Sequence, residues 1–182
     1  MESPVTELSE RETIENLKRL IRDIPDFPTD GILFRDITPL LADSDAFHQA
    51  ITLMASPYEN IDQVVCIESR GFIFGAPIAY QLGAGLVPVR KAGKLPSATF
   101  SADYSLEYGN NTVEIHQDAI KQGDRVIIVD DLLATGGTVG AAIKLVEGLG
   151  ATLEGIEVLI ELEALGGREP LTGYPVRSLI VY

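Results

Sequence analysis

The strongest chemical signal in the sequence is the thirteen-residue run 126–138. The four apolar residues 126–129 are followed by two adjacent carboxylates, Asp130 and Asp131. Leu132 and Leu133 then lead into Ala134, Thr135, Gly136, Gly137 and Thr138. This pattern predicts a buried strand that ends in carboxylates, turns tightly and enters a helix. In such a turn several backbone N–H groups can converge on one point, because glycine tolerates unusual dihedrals and close approach. The helix start adds unsatisfied donors and the positive end of the helix dipole. The hydroxyls of Thr135 and Thr138 complete a seat suited to a phosphate monoester. Two ionised carboxylates would repel that phosphate, so they must serve another part of the ligand. A vicinal diol is their natural partner, since its hydroxyls donate to carboxylate oxygens. Phosphate beside diol describes a ribose 5-phosphate.

Other phosphate loops do not fit. No segment supplies the spacing of a Walker loop, and Gly83-Ala84-Gly85 runs into Pro88 where a dinucleotide fingerprint needs glycine. A second feature points the same way as the first. Residues 69–102 hold no Asp or Glu but carry Arg70, Arg90, Lys91 and Lys94. A basic stretch inside an acidic chain suggests an anionic small ligand.

The elements that must position these groups are legible from periodicity. Ser9 and Glu12 form a capping-box pair, and Ile14, Leu17, Ile21 and Ile24 follow at helical spacing up to Pro25, predicting an amphipathic opening helix. Residues 26–41, punctuated by Pro28, Gly31 and Pro39, read as a structured loop. A helix is expected over 45–55, with Phe47, Ile51 and Met54 on one face. Apolar stretches at 64–67, 86–89 and 125–129 predict strands, 156–162 and 178–181 look like two more, and helices are expected over about 75–82 and 138–149. Strands apolar on both faces and alternating with helices imply an α/β fold with a parallel sheet covered on both sides. Ligands in such sheets bind beyond the carboxyl ends of the strands. Residues 92–111 break the rhythm, with a short strand near 104–108. Residues 112–116 alternate polar and apolar, so this region reads as a hairpin-like excursion. No linker or repeat divides the 182 residues, and one domain is expected.

Composition narrows the function classes. The chain is 46% hydrophobic and 23% charged, ordinary for a globular protein, and its net charge is −13. That sign argues against a duplex-DNA binder or a membrane-surface protein. No apolar run approaches the roughly 20 residues of a membrane span, and the acidic N-terminus does not read as a signal peptide. The single cysteine, Cys66, lies in an apolar run and reads as a buried structural thiol of a reducing cytoplasm. His48 and His116 match no role, and no cluster has the spacing of a dedicated metal site.

The run 126–138 resembles the signature of the type I phosphoribosyltransferases. Further segments are similar, in order, to the adenine phosphoribosyltransferases: Asp26-Phe27-Pro28, residues 31–39, Glu68-Ser69-Arg70-Gly71-Phe72, Arg90-Lys91, Gly93-Lys94-Leu95-Pro96 and residues 104–109. The resemblance implies transfer of phosphoribosyl from phosphoribosyl pyrophosphate to adenine, giving AMP and pyrophosphate, with Mg2+ held mainly by substrate oxygens. It assigns the ribose hydroxyls to Asp130 and Asp131, and the 5-phosphate to Ala134, Thr135, Gly136, Gly137 and Thr138. Ser69, Arg70, Gly71, Arg90, Lys91 and Lys94 fall to pyrophosphate, and Leu33, Phe34 and Arg35 to adenine. Glu107, on a mobile flap with Tyr108, and Arg70 carry the catalytic roles. The implied organisation is a cytoplasmic homodimer of one domain, with a hood over about 1–41 and a flap over about 92–111. Two alternatives are a non-catalytic regulator that senses nucleotide or phosphoribosyl pyrophosphate, and transfer to another purine. A regulator that contacts nucleic acid should carry a basic face, which a charge of −13 opposes.

Overall fold

The computed structural model describes residues 9–105 and 110–182. The chain divides into two compact units, and the division falls between Leu53 and Met54, inside a helix.

In the first unit, α1 (Glu10–Arg19) opens on the expected capping box. The Glu12 amide donates to Ser9 Oγ at 3.3 Å, and the Ser9 amide donates to Glu12 Oε2 at 2.9 Å. The helix stops at Arg19, short of the expected Pro25. Instead, β1 (Arg22–Pro25) pairs antiparallel with β2 (Leu33–Asp36), so Ile24 faces Phe34 across a ribbon. Cross-strand ion pairs Arg22–Asp36 and Arg35–Asp23 reinforce this pairing, a non-local gain that overrides helical spacing. The region expected as a loop therefore contains β2 and a short helix, α2 (Thr38–Ala42). Asp26 Oδ1 accepts from the Gly31 amide at 2.8 Å and closes the β1–β2 connection. Helix α3 (Ser44–Ala55) matches the sequence reading, with Ile51 and Met54 buried; Asp43 Oδ1 accepts from the amides of Asp45 and Ala46.

The second unit is built on a seven-stranded sheet. Its strands are β3 (Gln63–Ile67), β4 (Gly85–Lys91), β5 (Thr99–Ser105), β6 (Asn110–His116), β7 (Arg125–Leu133), β8 (Thr152–Glu161) and β9 (Val176–Val181), in the order β5-β6-β4-β3-β7-β8-β9. Strands β4, β3, β7, β8 and β9 are parallel. The β5–β6 hairpin adds antiparallel to β4 at Arg90↔Glu114 and Lys91↔Val113. In β6, Val113 and Ile115 are buried, whereas Thr112, Glu114 and His116 keep some exposure, the expected alternation. Residues 64–67 and 126–129 are all buried, as strands covered on both faces must be.

Helix α4 (Gly71–Leu82) starts directly after Arg70, earlier than expected, and α5 (Gly137–Gly148) follows the glycine turn. Gly75 sets how closely α4 can approach β3: a Cβ there would stand 2.5 Å from Cys66 Cβ. The parallel register brings the carboxyl ends of β3, β4 and β7 to one edge, and residues 69–71, 90–94 and 130–138 lie at that edge or just beyond it.

Candidate active site

Strand β7 continues past both carboxylates to Leu133, so Asp130 and Asp131 belong to the strand itself. Alternation then sends adjacent side chains to opposite faces. Asp130 Oδ1 accepts from the Asp131 amide at 2.9 Å. Asp131 is buried, and its Oδ2 lies 2.9 Å from Arg70 Nε in a charge contact rather than an aligned hydrogen bond. Burial raises the Asp130 carboxyl well above its ordinary range, and the neighbouring Asp131 charge adds to the effect. Burial also raises Asp131, with the Arg70 guanidinium opposing it. Two carboxylates held this way gain from a ligand that donates hydroxyl protons to them.

Arg70 ends the segment that follows β3 and begins α4, and the Glu68–Ser69 peptide in that segment is cis. Gly71 lies directly on β7. A Cβ there would stand 2.8 Å from Asp130 Oδ1 and 3.0 Å from the Val129 carbonyl oxygen. Glycine is required at this point by close approach, so the β3 segment and the carboxylate pair form one surface.

The turn after β7 encloses a cavity of about 70 Å³, lined by Asp130 and by residues 132–139. Gly136 takes φ +80° as the N-cap of α5. The N-terminal end of α5 faces this cavity with no side-chain cap, which leaves its first amides available to an anion. Thr135 is exposed and Thr138 half-buried at the rim.

The basic residues meet on a carboxylate to which the sequence reading gave no role. Glu68 Oε2 accepts from Arg90 Nε at 3.3 Å and from the Lys91 amide at 3.0 Å, and its Oε1 accepts from Lys94 Nζ at 2.8 Å. Burial works against ionisation of Glu68, but the Lys94, Lys91 and Arg90 donors outweigh it and hold the carboxyl below its ordinary value. Arg90 also donates to the Lys94 carbonyl at 3.1 Å. Lys91 is exposed and joins the cluster through its backbone. In the sequence Glu68 stands as the last acid before the acid-free stretch and opens the segment Glu68-Ser69-Arg70-Gly71-Phe72, but neither feature points to its pairing with Arg90 and Lys94.

Leu33, Phe34 and Arg35 occupy β2 in the first unit, where the Phe34 ring packs edge-on to Phe27 with centroids 5.1 Å apart. Glu107 and Tyr108 lie outside the described residues. His48 is exposed on α3, and His116 Nε2 accepts from the Ser97 amide at 3.4 Å.

Residues 40–179 match the phosphoribosyl transferase domain. Adenine phosphoribosyltransferase of Carboxydothermus hydrogenoformans is 58% identical over 169 residues, covering 92% of this chain and 99% of that protein. The chain belongs to the adenine phosphoribosyltransferase family. The family's fold extends to the three-dimensional comparison. The crystal structure of the Thermoanaerobacter pseudethanolicus adenine phosphoribosyltransferase matches with TM-score 0.90 at 53% identity, covering 93% of this chain and 99% of that one. The Saccharomyces cerevisiae enzyme, complexed with an imino-altritol bisphosphate and adenine, matches with TM-score 0.87 at 43% identity over 93% of this chain and 99% of its own. Family membership accounts for the α/β sheet and for the sequence order of the motifs. Among the described residues, no helix is long and apolar enough to cross a membrane.

Proposed function

We propose that this chain transfers the 5-phosphoribosyl group of phosphoribosyl pyrophosphate to adenine N9, releasing pyrophosphate and forming AMP, as a step of purine salvage. The observation that carries the reading is the juxtaposition at one sheet edge: a small cavity walled by backbone and a helix start, a buried carboxylate pair beside it, and cations at or just beyond the ends of β3 and β4.

In this reading, residues 134–138 bind the 5-phosphate and Asp130 and Asp131 accept from the ribose hydroxyls. Ser69, Arg70, Gly71, Arg90, Lys91 and Lys94 receive the pyrophosphate. As the C1–O bond breaks, charge accumulates on the leaving group, so fixed cations there stabilise the transition state more than the ground state. Substrate competes with Glu68 for Arg90 and Lys94. Glu107 takes up or offsets the positive charge that attack places on the base. Phe34 offers a stacking face for adenine. In this reading the backbone groups of Leu33 and Arg35, on β2, read the purine edge. A backbone C=O and N–H complement the N6 donor and N1 acceptor of adenine, whereas hypoxanthine reverses both.

Magnesium belongs to this reading as an ion carried by the substrate. Among the described residues, no group of three or more His, Cys, Asp or Glu could hold a metal. The Asp130–Asp131 pair, with its non-hydrogen-bonded Oδ2, fits a diol or the water shell of a substrate-borne cation. When bound, the ion would neutralise charge on the leaving pyrophosphate. A cytoplasmic homodimer is part of the proposal, and the exposed Ile73, Tyr80 and Leu86 on α4 and β4 offer apolar surface for a second copy.

Pyrophosphate release from phosphoribosyl pyrophosphate, assayed with a panel of purines, tests the reading. Turnover with adenine and a kcat/KM for hypoxanthine lower by roughly 10²–10⁴-fold are expected, from two buried mismatches. Values within tenfold of each other would overturn the base assignment, and no turnover would favour the regulator.

A further inference from the structure

The seat for the 5-phosphate has a floor that the function above does not use. A Cβ on Gly136 would stand 2.4 Å from the Gly167 carbonyl oxygen and 2.8 Å from Pro170 Cγ. Reciprocally, a Cβ on Gly167 would stand 2.3 Å from the Ala134 carbonyl oxygen. The two backbones touch with no side chain between them. The position of residues 134–136 is therefore set by the segment 163–171, two short 3-10 turns (Glu163–Leu165 and Glu169–Leu171) joined through Gly166 at φ +63°.

Short turns of this kind do not hold their own place. One end of the segment is fixed by Leu171, 1% exposed in the apolar core near α5. The middle is fixed by Arg168. Its Nε and Nη2 each donate at 2.7 Å to the two oxygens of Glu161, at the end of β8. Its Nη1 donates to the Val176 carbonyl at 2.9 Å, and Ser178 Oγ lies within 3.2 Å of Nη2. Glu161 is itself buried, with 5% of its side chain exposed. Most surface ion pairs contribute little, but a two-pronged guanidinium–carboxylate pair with a buried acid is the geometry that does contribute.

We infer that Arg168 is a positioning residue for the 5-phosphate seat: through Glu161 it ties the segment 163–171 to β8 and β9, and that segment holds residues 134–136 in the conformation that presents their amides. The inference rests on the proposed phosphate role of residues 134–138. The 5-phosphate is remote from the bond that breaks, so its seat grips ground state and transition state alike. Loosening the seat raises KM and leaves kcat unchanged.

The test is steady-state kinetics of the full chain, with thermal denaturation of each variant alongside. For Arg168→Gln, KM for phosphoribosyl pyrophosphate is expected to rise by about 10- to 100-fold, the scale on which a small misplacement acts. The kcat and the KM for adenine should stay within about twofold of wild type. Arg168→Lys keeps the charge but loses the fork, and its KM should fall between the two. Ser178→Ala removes a donor to Glu161 Oε2 but leaves both Arg168–Glu161 bonds, so its KM should rise less than that of Arg168→Gln. If Arg168→Gln instead lowered the melting temperature and the apparent kcat with KM unchanged, Arg168 would be a folding residue only and the inference would fail. If that variant does not fold, the KM of Arg168→Lys decides, and a wild-type value there is equally fatal. Thr138→Val, in the seat itself, separates the two layers. A raised KM for Thr138→Val with a normal one for Arg168→Gln sinks the clamp alone. A normal KM for Thr138→Val sinks the phosphate seat and the clamp with it.

Discussion

Gly71 is the residue through which the two halves of the candidate site touch. Its α-carbon rests against Asp130 and the Val129 carbonyl, so a methyl group there must displace a strand backbone and a carboxylate. For Gly71→Ala, the better helix propensity of alanine gains at most about 1 kcal/mol at the start of α4. Overpacking against backbone costs about 1–3 kcal/mol and wins. The expected outcome is a lower melting temperature together with a raised KM for phosphoribosyl pyrophosphate; unchanged values of both would show that α4 can shift freely. Glu107 has a different signature. Glu107→Gln keeps shape and removes charge, so kcat should fall by roughly 10²–10⁴-fold with KM moving less. Near-normal turnover would leave Glu107 without a chemical role.

At the scale of elements, the parallel strands were readable because a strand covered on both faces has to be apolar throughout, as residues 64–67 and 126–129 are. The glycine turn was readable because few sequences join adjacent carboxylates to Thr-Gly-Gly-Thr. The end of α1 was not readable: Ile21 and Ile24 keep helical spacing, and only the strand formed by residues 33–36 pulls 22–25 into a ribbon. The convergence of Arg90 and Lys94 on Glu68, and of Gly167 on Ala134, depends on chain segments that meet only through the fold. Strands β8 and β9 carry another such group. Buried Glu157 pairs with Arg177 Nη1 at 2.8 Å and accepts from the Tyr58 hydroxyl at 3.1 Å, while the Tyr58 ring fills the space beside Gly155. Burial, only partly offset by Arg177 and Tyr58, raises the Glu157 carboxyl from its ordinary 4.5 to about 7. The folded state then holds this proton more tightly than the unfolded chain does. Its contribution to stability is complete below about 4.5 and is lost as pH rises through about 7. Glu157→Gln removes that loss, so its melting temperature relative to wild type should rise between pH 5 and pH 8. A difference independent of pH would contradict the assignment.

For the molecule as a whole, a net charge of −13 means that acidic groups repel one another across the surface, while Arg70, Arg90 and Lys94 near the sheet edge are already paired. Raising salt from about 0.01 M to 0.15 M shortens the screening length from about 30 Å to 8 Å, which reaches the diffuse repulsion before it reaches the close pairs. The melting temperature is therefore expected to rise with sodium chloride over that range, and a fall would mean that the ion pairs outweigh the net charge. The single thiol has a consequence of its own. Cys66 lies on β3 between β4 and β7, fully buried beneath Gly75 of α4, and donates to the Val87 carbonyl. Burial first, and then the nearby Asp130 charge, push the thiol up to about 12. An alkylating reagent can meet it as a thiolate only when α4 lifts from the sheet. The chain thus carries an internal clock. In a reagent excess that captures every opening, labelling of the native protein should follow the opening rate rather than reagent concentration, and saturating substrate should slow it.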